Sequence, residues 1–250
     1  MKILIEILKK TLLICIFSTL NAQAFFPGEK YEYDVYYKFI RIGHAYIETS
    51  KEIDIVEGQE SYHVTYKFRT TNFGDRIYKV RDQLELWINK DTLQLIRQKK
   101  TLREKKWKHD SVITMKNNLA MINGIKEGKK YYKEREAPDF FYNPYAMILI
   151  LRNFQIEEGE FMEFVTFEKK VKVIDITNTG YKKIKTPLGK FEAYTYKPFY
   201  KGKSALKNSG DLELSYALVG NVIVPVKIAI KLNKGYGTID LRLQNYSGEI

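Results

Sequence analysis

Cysteine is all but absent from this chain. Cys15 is the only one in 250 residues, and it falls inside an N-terminal segment that reads as a removable leader. The rest of the chain therefore has no disulfide, no thiolate metal site and no cysteine nucleophile. Histidine is scarce too. His44, His63 and His109 stand without the H-x-x-x-H or H-E-x-x-H spacing of a metal-binding helix, and they read as ordinary surface or boundary residues. No G-x-S-x-G surrounds Ser204, Ser209 or Ser215, so the strained elbow of the serine hydrolases is missing. Glycine patterns supply neither a dinucleotide fingerprint nor a P-loop. Asp82 and Glu104 are placed to face each other as a glycosidase pair would, but Arg81 and Arg103 beside them suit plain ion pairs. The expectation is a non-enzymatic protein with no cofactor and no bound metal.

Long hydrophobic runs are also missing, apart from one at the N-terminus. There Lys2, Lys9 and Lys10 precede the apolar stretch Thr11–Leu20, and Ala22-Gln23-Ala24 forms an A-x-A cleavage site. A run that short falls below the roughly 20 residues of a membrane span. Residues 1–24 are expected to be a secretory signal cleaved after Ala24, which places the mature protein in a bacterial periplasm. Lipidation at Cys15 is rejected, because Ile14 before it is bulky and Cys15 sits in mid-run. Removing the leader takes away three lysines and one acid, lowering the net charge from +12 to +10. A basic exported protein meets phosphate headgroups and anionic glycans rather than nucleic acid.

What is abundant is aromatic. Nineteen Tyr, 14 Phe and two Trp favour strands. Tyr31, Tyr33, Val35, Tyr37 and Phe39 alternate with polar residues, and so do Tyr62, Val64, Tyr66 and Phe68. Period two marks half-buried strands. Others are expected at His44–Val56, Leu84–Ile88, Leu93–Arg103, Trp107–Met115, Phe161–Phe167, Val171–Ile184, Phe191–Lys197, Leu212–Leu218, Val222–Leu232 and Gly235–Leu243, with turn residues between them. Asn143–Asn153 is the exception. Asn143 suits an N-cap, Pro144 the first helical position, and Tyr145–Leu151 is apolar all round. Such a helix is buried on several sides. The expected fold is mainly β: an antiparallel curved sheet or an open or closed barrel, enclosing one buried apolar helix, with residues 25–250 as a single domain.

The ordered set Gly28–Tyr37, Ile40–Ala45, Arg69–Thr71, Tyr78–Asp82, Leu102–Lys105, the helix ending at Arg152, and Lys185–Phe191 resembles the exported bacterial family called domain of unknown function 3108. The resemblance covers nearly the whole mature chain. Asn143 stands where the family usually has Asp, and Tyr216–Asn221 replaces its usual Trp and acidic turn. The resemblance implies a curved sheet with an inner helix, similar to the open barrels of periplasmic lipoprotein carriers, and implies no activity.

Two groups are candidate sites. Arg69, Tyr78, Arg81, Asp82, Arg103 and Glu104, the polar residues matching the family, lie on successive strands and are expected to converge. With Met147, Ile148 and Leu151 of the helix they would bind a ligand that is part anionic and part apolar. The second group is a basic docking patch. Arg97–Lys108 holds seven bases and one acid, and Lys99, Lys100, Lys105, Lys106 and Lys108 around Trp107 would meet an anionic membrane or glycan surface. The expected function is binding or carriage of a lipid-like ligand within the sheet. The alternative is a cell-envelope structural or assembly factor acting through its basic outer face.

Overall fold

A computed structural model of the chain describes residues 24–200, 203–204, 211–232 and 236–248. The leader through Gln23, Cys15 included, and the turn residue Ser209 lie outside the described residues.

Among the described residues the alternating pattern produces fifteen strands in one sheet. The first eight form a meander: β1 (Lys30–Tyr37), β2 (Ile40–Val56), β3 (Gln59–Thr70), β4 (Arg81–Asn89), β5 (Leu95–Glu104), β6 (Trp107–Lys116), β7 (Leu119–Lys126) and β8 (Lys129–Glu136). A second run follows: β9 (Phe161–Phe167), β10 (Val171–Lys185), β11 (Lys190–Tyr200), the two-residue β12 (Lys203–Ser204), β13 (Asp211–Val219), β14 (Val222–Leu232) and β15 (Gly237–Ser247). The order is β8-β7-β6-β5-β4-β3-β2-β1-β15-β14-β13-β11-β10-β9, with β12 beside β11. Pairing of β1 with β15, from Lys30↔Ser247 to Tyr37↔Ile239, joins the two runs. The turns Glu57-Gly58, Asn117-Asn118 and Glu127-Gly128 place both central residues at positive φ, as two-residue hairpins of the right twist require.

β7 and β8 were not anticipated. Nearly every residue of β8 is exposed, so its sequence KKYYKERE has no inward-facing period to read. A short helix, α1 (Asn72–Tyr78), also replaces what reads as a mere break, and the Thr71 hydroxyl caps it by accepting from the Gly74 N–H at 3.1 Å.

The apolar helix is where the pattern places it, though shorter. α2 (Met147–Ile150) runs into a 3₁₀ turn, Leu151–Asn153. Asn143 opens the segment: its Oδ1 accepts from the N–H groups of Tyr145 and Ala146. Met147, Leu149, Ile150 and Leu151 are buried inside the curve of the sheet. Tyrosines on the surrounding strands satisfy the carbonyls of the segment. The Tyr66 hydroxyl donates to Tyr145 O (3.0 Å), Tyr216 to Ile148 O (2.8 Å) and Tyr196 to Phe154 O (2.7 Å). A short helix buried without such donors would leave its last carbonyls unpaired at real cost.

Arg152, at the end of this segment, is buried against Glu29 just before β1. Its Nη1 lies 2.6 Å from Glu29 Oε1 and its Nη2 lies 2.9 Å from Oε2. It also donates to the Tyr31 hydroxyl and to the carbonyl of Ala24. Cleavage after Ala24 would remove that last acceptor and leave the two-point pair with Glu29 intact.

Candidate functional site

Antiparallel strands send successive turns to opposite ends of the sheet. The connections after β1, β3, β5, β7, β9, β11 and β14 fall at one end, and those after β2, β4, β6, β8, β10 and β13 fall at the other. The interior is not filled evenly between them. A cavity of ≈ 970 Å³ is lined by 45–47, 66–68, 82–84 and 168–170, and by Lys100, Leu102, Ile228, Ile230, Ile239 and Leu241, among others. All of these lie in the strand halves, or in the turn, next to the first end, which is therefore the mouth. Tyr145, Met147, Ile148 and Leu151 form the floor. Beyond the floor, toward the base, the interior is packed with Leu86, Ile88, Leu95 and Phe141.

The lining has two characters. β13, β14 and β15 contribute Leu212, Leu214, Ile228, Ile230, Ile239 and Leu241. The wall made by β5 and the β9–β10 turn carries Lys100, Glu168, Lys169, Lys170 and Lys172. With Asp82, four lysines stand against two carboxylates around a mainly apolar space, while Lys67, between the inward Tyr66 and Phe68, turns its side chain out.

Lys100 is buried and is the best-fixed of these cations. It donates to the Tyr145 hydroxyl at 2.8 Å and pairs with Glu168. Burial pulls its ammonium down, but Tyr145 and Glu168 outweigh burial and hold its pKa above the ordinary value. Burial likewise pushes Glu168 up, and Lys100 outweighs it, so the carboxyl titrates below its usual range. Both groups are thus charged at neutral pH. The pair also forms a seam. β8 and β9 end the sheet without pairing with each other, yet Lys100 and Gln98 of β5 reach Glu168, and Asn143 Nδ2 donates to Gln98 at 3.0 Å. Lys169 is pulled below its usual range by burial, and further by Lys100. Such a lysine gains from an anionic partner.

Of the expected ligand-binding residues, Met147, Ile148, Leu151 and Asp82 line the cavity. Burial raises the Asp82 carboxyl pKa, while its Oδ1 accepts from the backbone N–H of Arg103. Arg69, Tyr78, Arg81, Arg103 and Glu104 do not line it. Strand parity is the reason: Phe68, Leu84 and Leu102 face inward, so Arg69, Arg81 and Arg103 face out. These residues do gather at the mouth end, where Tyr78, Arg81, Arg103 and Glu104 bind neighbouring side chains. Arg81 grips Asp75 at 2.7 and 2.9 Å, Arg103 pairs with Asp110 at 2.8 Å, and the Tyr78 hydroxyl donates to Glu104 at 3.1 Å. The docking patch is corrected by the same parity. Lys99 is exposed and faces Glu85, whereas Lys100 points into the cavity. Lys105 and Lys106 sit on the turn, Lys108 faces out, and Trp107 is half-buried 5.5 Å from the His109 ring.

His109 departs from the boundary reading. It is buried, with Nε2 at 2.8 Å from the Tyr131 hydroxyl, and burial followed by Lys169 and Lys100 lowers its pKa. Among the described residues no group of His, Cys, Asp and Glu is placed to hold a metal ion, and no helix is long and apolar enough to cross a membrane. Sequence reasoning missed Lys169, Lys170 and Lys172. Their signal was present as the run Glu168-Lys169-Lys170 between two alternating strands, but only the curvature of the sheet brings that turn over Lys100.

Comparison with known proteins agrees with this architecture. The crystal structure of a beta-barrel-like protein of domain of unknown function DUF1849 from Brucella abortus superimposes with a TM-score of 0.57 at 10% identity, covering 90% of this chain and 99% of that one. This likeness shows the fold alone. A putative lipoprotein from Parabacteroides distasonis aligns over 89% of this chain and 97% of its own at 13% identity, with a TM-score of 0.31. No curated protein matches. The family model described as protein of unknown function (DUF3108) matches residues 32–242, and the chain belongs to that family.

Proposed function

We propose that this is an exported, non-enzymatic binding or carrier protein for an amphipathic anion of lipid type. One observation carries the reading: an open cavity of ≈ 970 Å³ that is apolar on most walls and has four lysines against two carboxylates. Binding pockets span about 300–1,000 Å³ and combine apolar walls with a few placed polar groups. An acyl chain would lie against Leu214, Ile228 and Leu241, over the floor at Ile148. Its carboxylate or phosphate would face Lys169, Lys170 and Lys172 beside the Lys100–Glu168 pair. A neutral hydrocarbon would leave those cations idle, and a hydrophilic anion would leave the apolar walls wet. Export rests on the pattern of Met1–Ala24.

The test is native mass spectrometry of protein made in cells and purified without detergent. A bound lipid-sized mass is expected, exchangeable with added palmitate or lysophosphatidylglycerol. At a hundredfold excess over its Kd, such a ligand adds about 2.7 kcal/mol of stability, visible as a raised Tm. The substitution Leu241→Trp, which fills the cavity, should abolish both signals. A clean apo mass with no thermal shift from either lipid overturns the proposal.

A further inference from the structure

The mouth of the cavity has a surface of its own, unlike the opposite end. Four large apolar side chains stand out from its turns: Phe39 is 82% exposed, Tyr236 63%, Phe73 49% and Ile77 48%. They are held there. The backbone N–H of Lys38 donates to Thr238 O at 3.0 Å and the Tyr37 hydroxyl to Tyr236 O at 2.6 Å, so the tips bearing Phe39 and Tyr236 project as one unit. On α1, Phe73 and Ile77 are four residues apart and share a face. The other face is fixed inward, because Gly74 lies against the Ile42 carbonyl so closely that a Cβ there would sit 2.1 Å from its oxygen. The helix has no freedom to roll and hide its apolar side.

Charge separates the two ends. Within the described mouth connections 38–39, 71–80, 105–106, 127–128 and 168–170, seven bases face three acids. At the other end, the connections 57–58, 90–94, 117–118, 137–146, 155–160, 186–189 and 220–221 hold six acids and one base. Exposed apolar residues occur there too, as Ile55 shows at 78%, but in an acidic setting.

We infer that the mouth end docks on an anionic bilayer, with Phe39, Phe73, Ile77 and Tyr236 entering the interface and lysines of the turns between them meeting headgroup phosphates. A protein-binding hot spot is a packed central cluster. Here the apolar tips sit on three neighbouring turns along one stretch of the rim, with Lys38, Arg76 and Lys79 among them, which is the arrangement of interfacial anchors. Docking in this pose turns the cavity toward the membrane, so a lipid passes between them without crossing water. The docking itself does not require that any lipid be bound.

Co-sedimentation with vesicles of about three parts phosphatidylcholine to one part phosphatidylglycerol tests this, with pure phosphatidylcholine vesicles for comparison. The whole protein should bind the anionic vesicles, less as salt rises, and the neutral ones far less. Lys105→Gln with Lys106→Gln should weaken binding about 30-fold. Phe39→Ser with Phe73→Ser should weaken it to a similar degree, with Tm unchanged because all four side chains are exposed. Ile55→Ser, at the acidic end, should bind as the parent does. The cavity-filled Leu241→Trp protein should also still bind, so that loss of ligand and loss of docking are read separately. Absence of binding to anionic vesicles, as expected if the end instead meets a soluble protein, overturns the inference. So does equal weakening by Ile55→Ser.

Discussion

The substitution Glu29→Gln removes one charge from a pair that has almost no water around it. The Arg152 side chain is 2% exposed and that of Glu29 is wholly buried. Glutamine keeps the shape but leaves the guanidinium without its two-point carboxylate partner at 2.6 and 2.9 Å. The Tyr31 hydroxyl remains, and it is no anion at neutral pH, because burial raises its pKa well above the ordinary value. Breaking a buried pair by removing one partner costs about 3–5 kcal/mol. For a domain of this size each kcal/mol is about 2–4 °C, so Tm should fall by about 6–20 °C. Replacing both residues by Met removes both charges at once. The hydroxyls of Tyr31 and Tyr246 then lose their shared acceptor, Glu29 Oε1, at a cost of about 1–3 kcal/mol. The double variant should therefore be more stable than Glu29→Gln. Urea denaturation followed by tryptophan fluorescence gives both values. A single variant within about 1 kcal/mol of the parent would show that water reaches the pair and would refute the reasoning.

Other outcomes follow from the same contacts. Glu168→Gln leaves Lys100 unneutralised in the cavity, so affinity for palmitate should rise about tenfold, whereas Lys100→Met should lower it by a similar factor; displacement titrations read both. Asp75 is held down to about 2, first by its hydrogen bond from Arg81 and then by that from Thr70. A depressed carboxyl stabilises the fold above its unfolded pKa, and that contribution is lost as pH falls from about 4 to about 2. Amide exchange at Gly74–Tyr78 should accelerate in that window, and Asp75→Asn should show the fast rate already at pH 5. Gly74→Ala must displace α1 from the Ile42 carbonyl and should cost about 1–3 kcal/mol by urea denaturation, whereas Gly128→Ala meets no neighbouring atom and suffers only from its positive φ.

The fold was legible wherever a strand has one wet face and one dry face. Tyr31, Tyr33 and Val35 alternate because β1 does. The helix at Met147–Ile150 was legible for the opposite reason: no side of it needs to be polar. β8 was illegible because it is an edge strand exposed on both faces, and α1 because seven residues are too few for a period. The site was half legible. Met147, Ile148 and Leu151 could be found as residues needing an enclosure. Lys100 could not be assigned from its neighbours, since a run of bases from Arg97 to Lys108 looks uniform in sequence and only register decides which of them turns inward. The pairing Lys100↔Ser111, between Lys99↔Val112 and Thr101↔Asp110, settles that.

The uneven filling of the interior has a physical origin. A curved sheet with fourteen strands along its path encloses more space than its own side chains can fill. The chain places a helical segment there, and any buried helical segment brings carbonyls that need donors. Leucine or valine on the surrounding strands would fill volume but leave those carbonyls bare. Tyrosine does both: Tyr66, Tyr196 and Tyr216 each reach a carbonyl of the 145–154 segment, and the rings of Tyr196 and Tyr216 pack against each other on the wall, tilted and 5.6 Å apart. The tyrosines thereby fix the height of the floor. On the mouth side of it β13, β14 and β15 turn Leu212, Ile230, Ile239 and Leu241 toward the cavity, the apolar wall against which the proposed ligand would lie. Replacing Tyr216 by Phe tests this. The Ile148 carbonyl loses its donor, the floor loosens by about 1–3 kcal/mol, and affinity for palmitate should fall although Tyr216 is not among the lining residues. Unchanged affinity in Tyr216→Phe would separate the floor from the binding site.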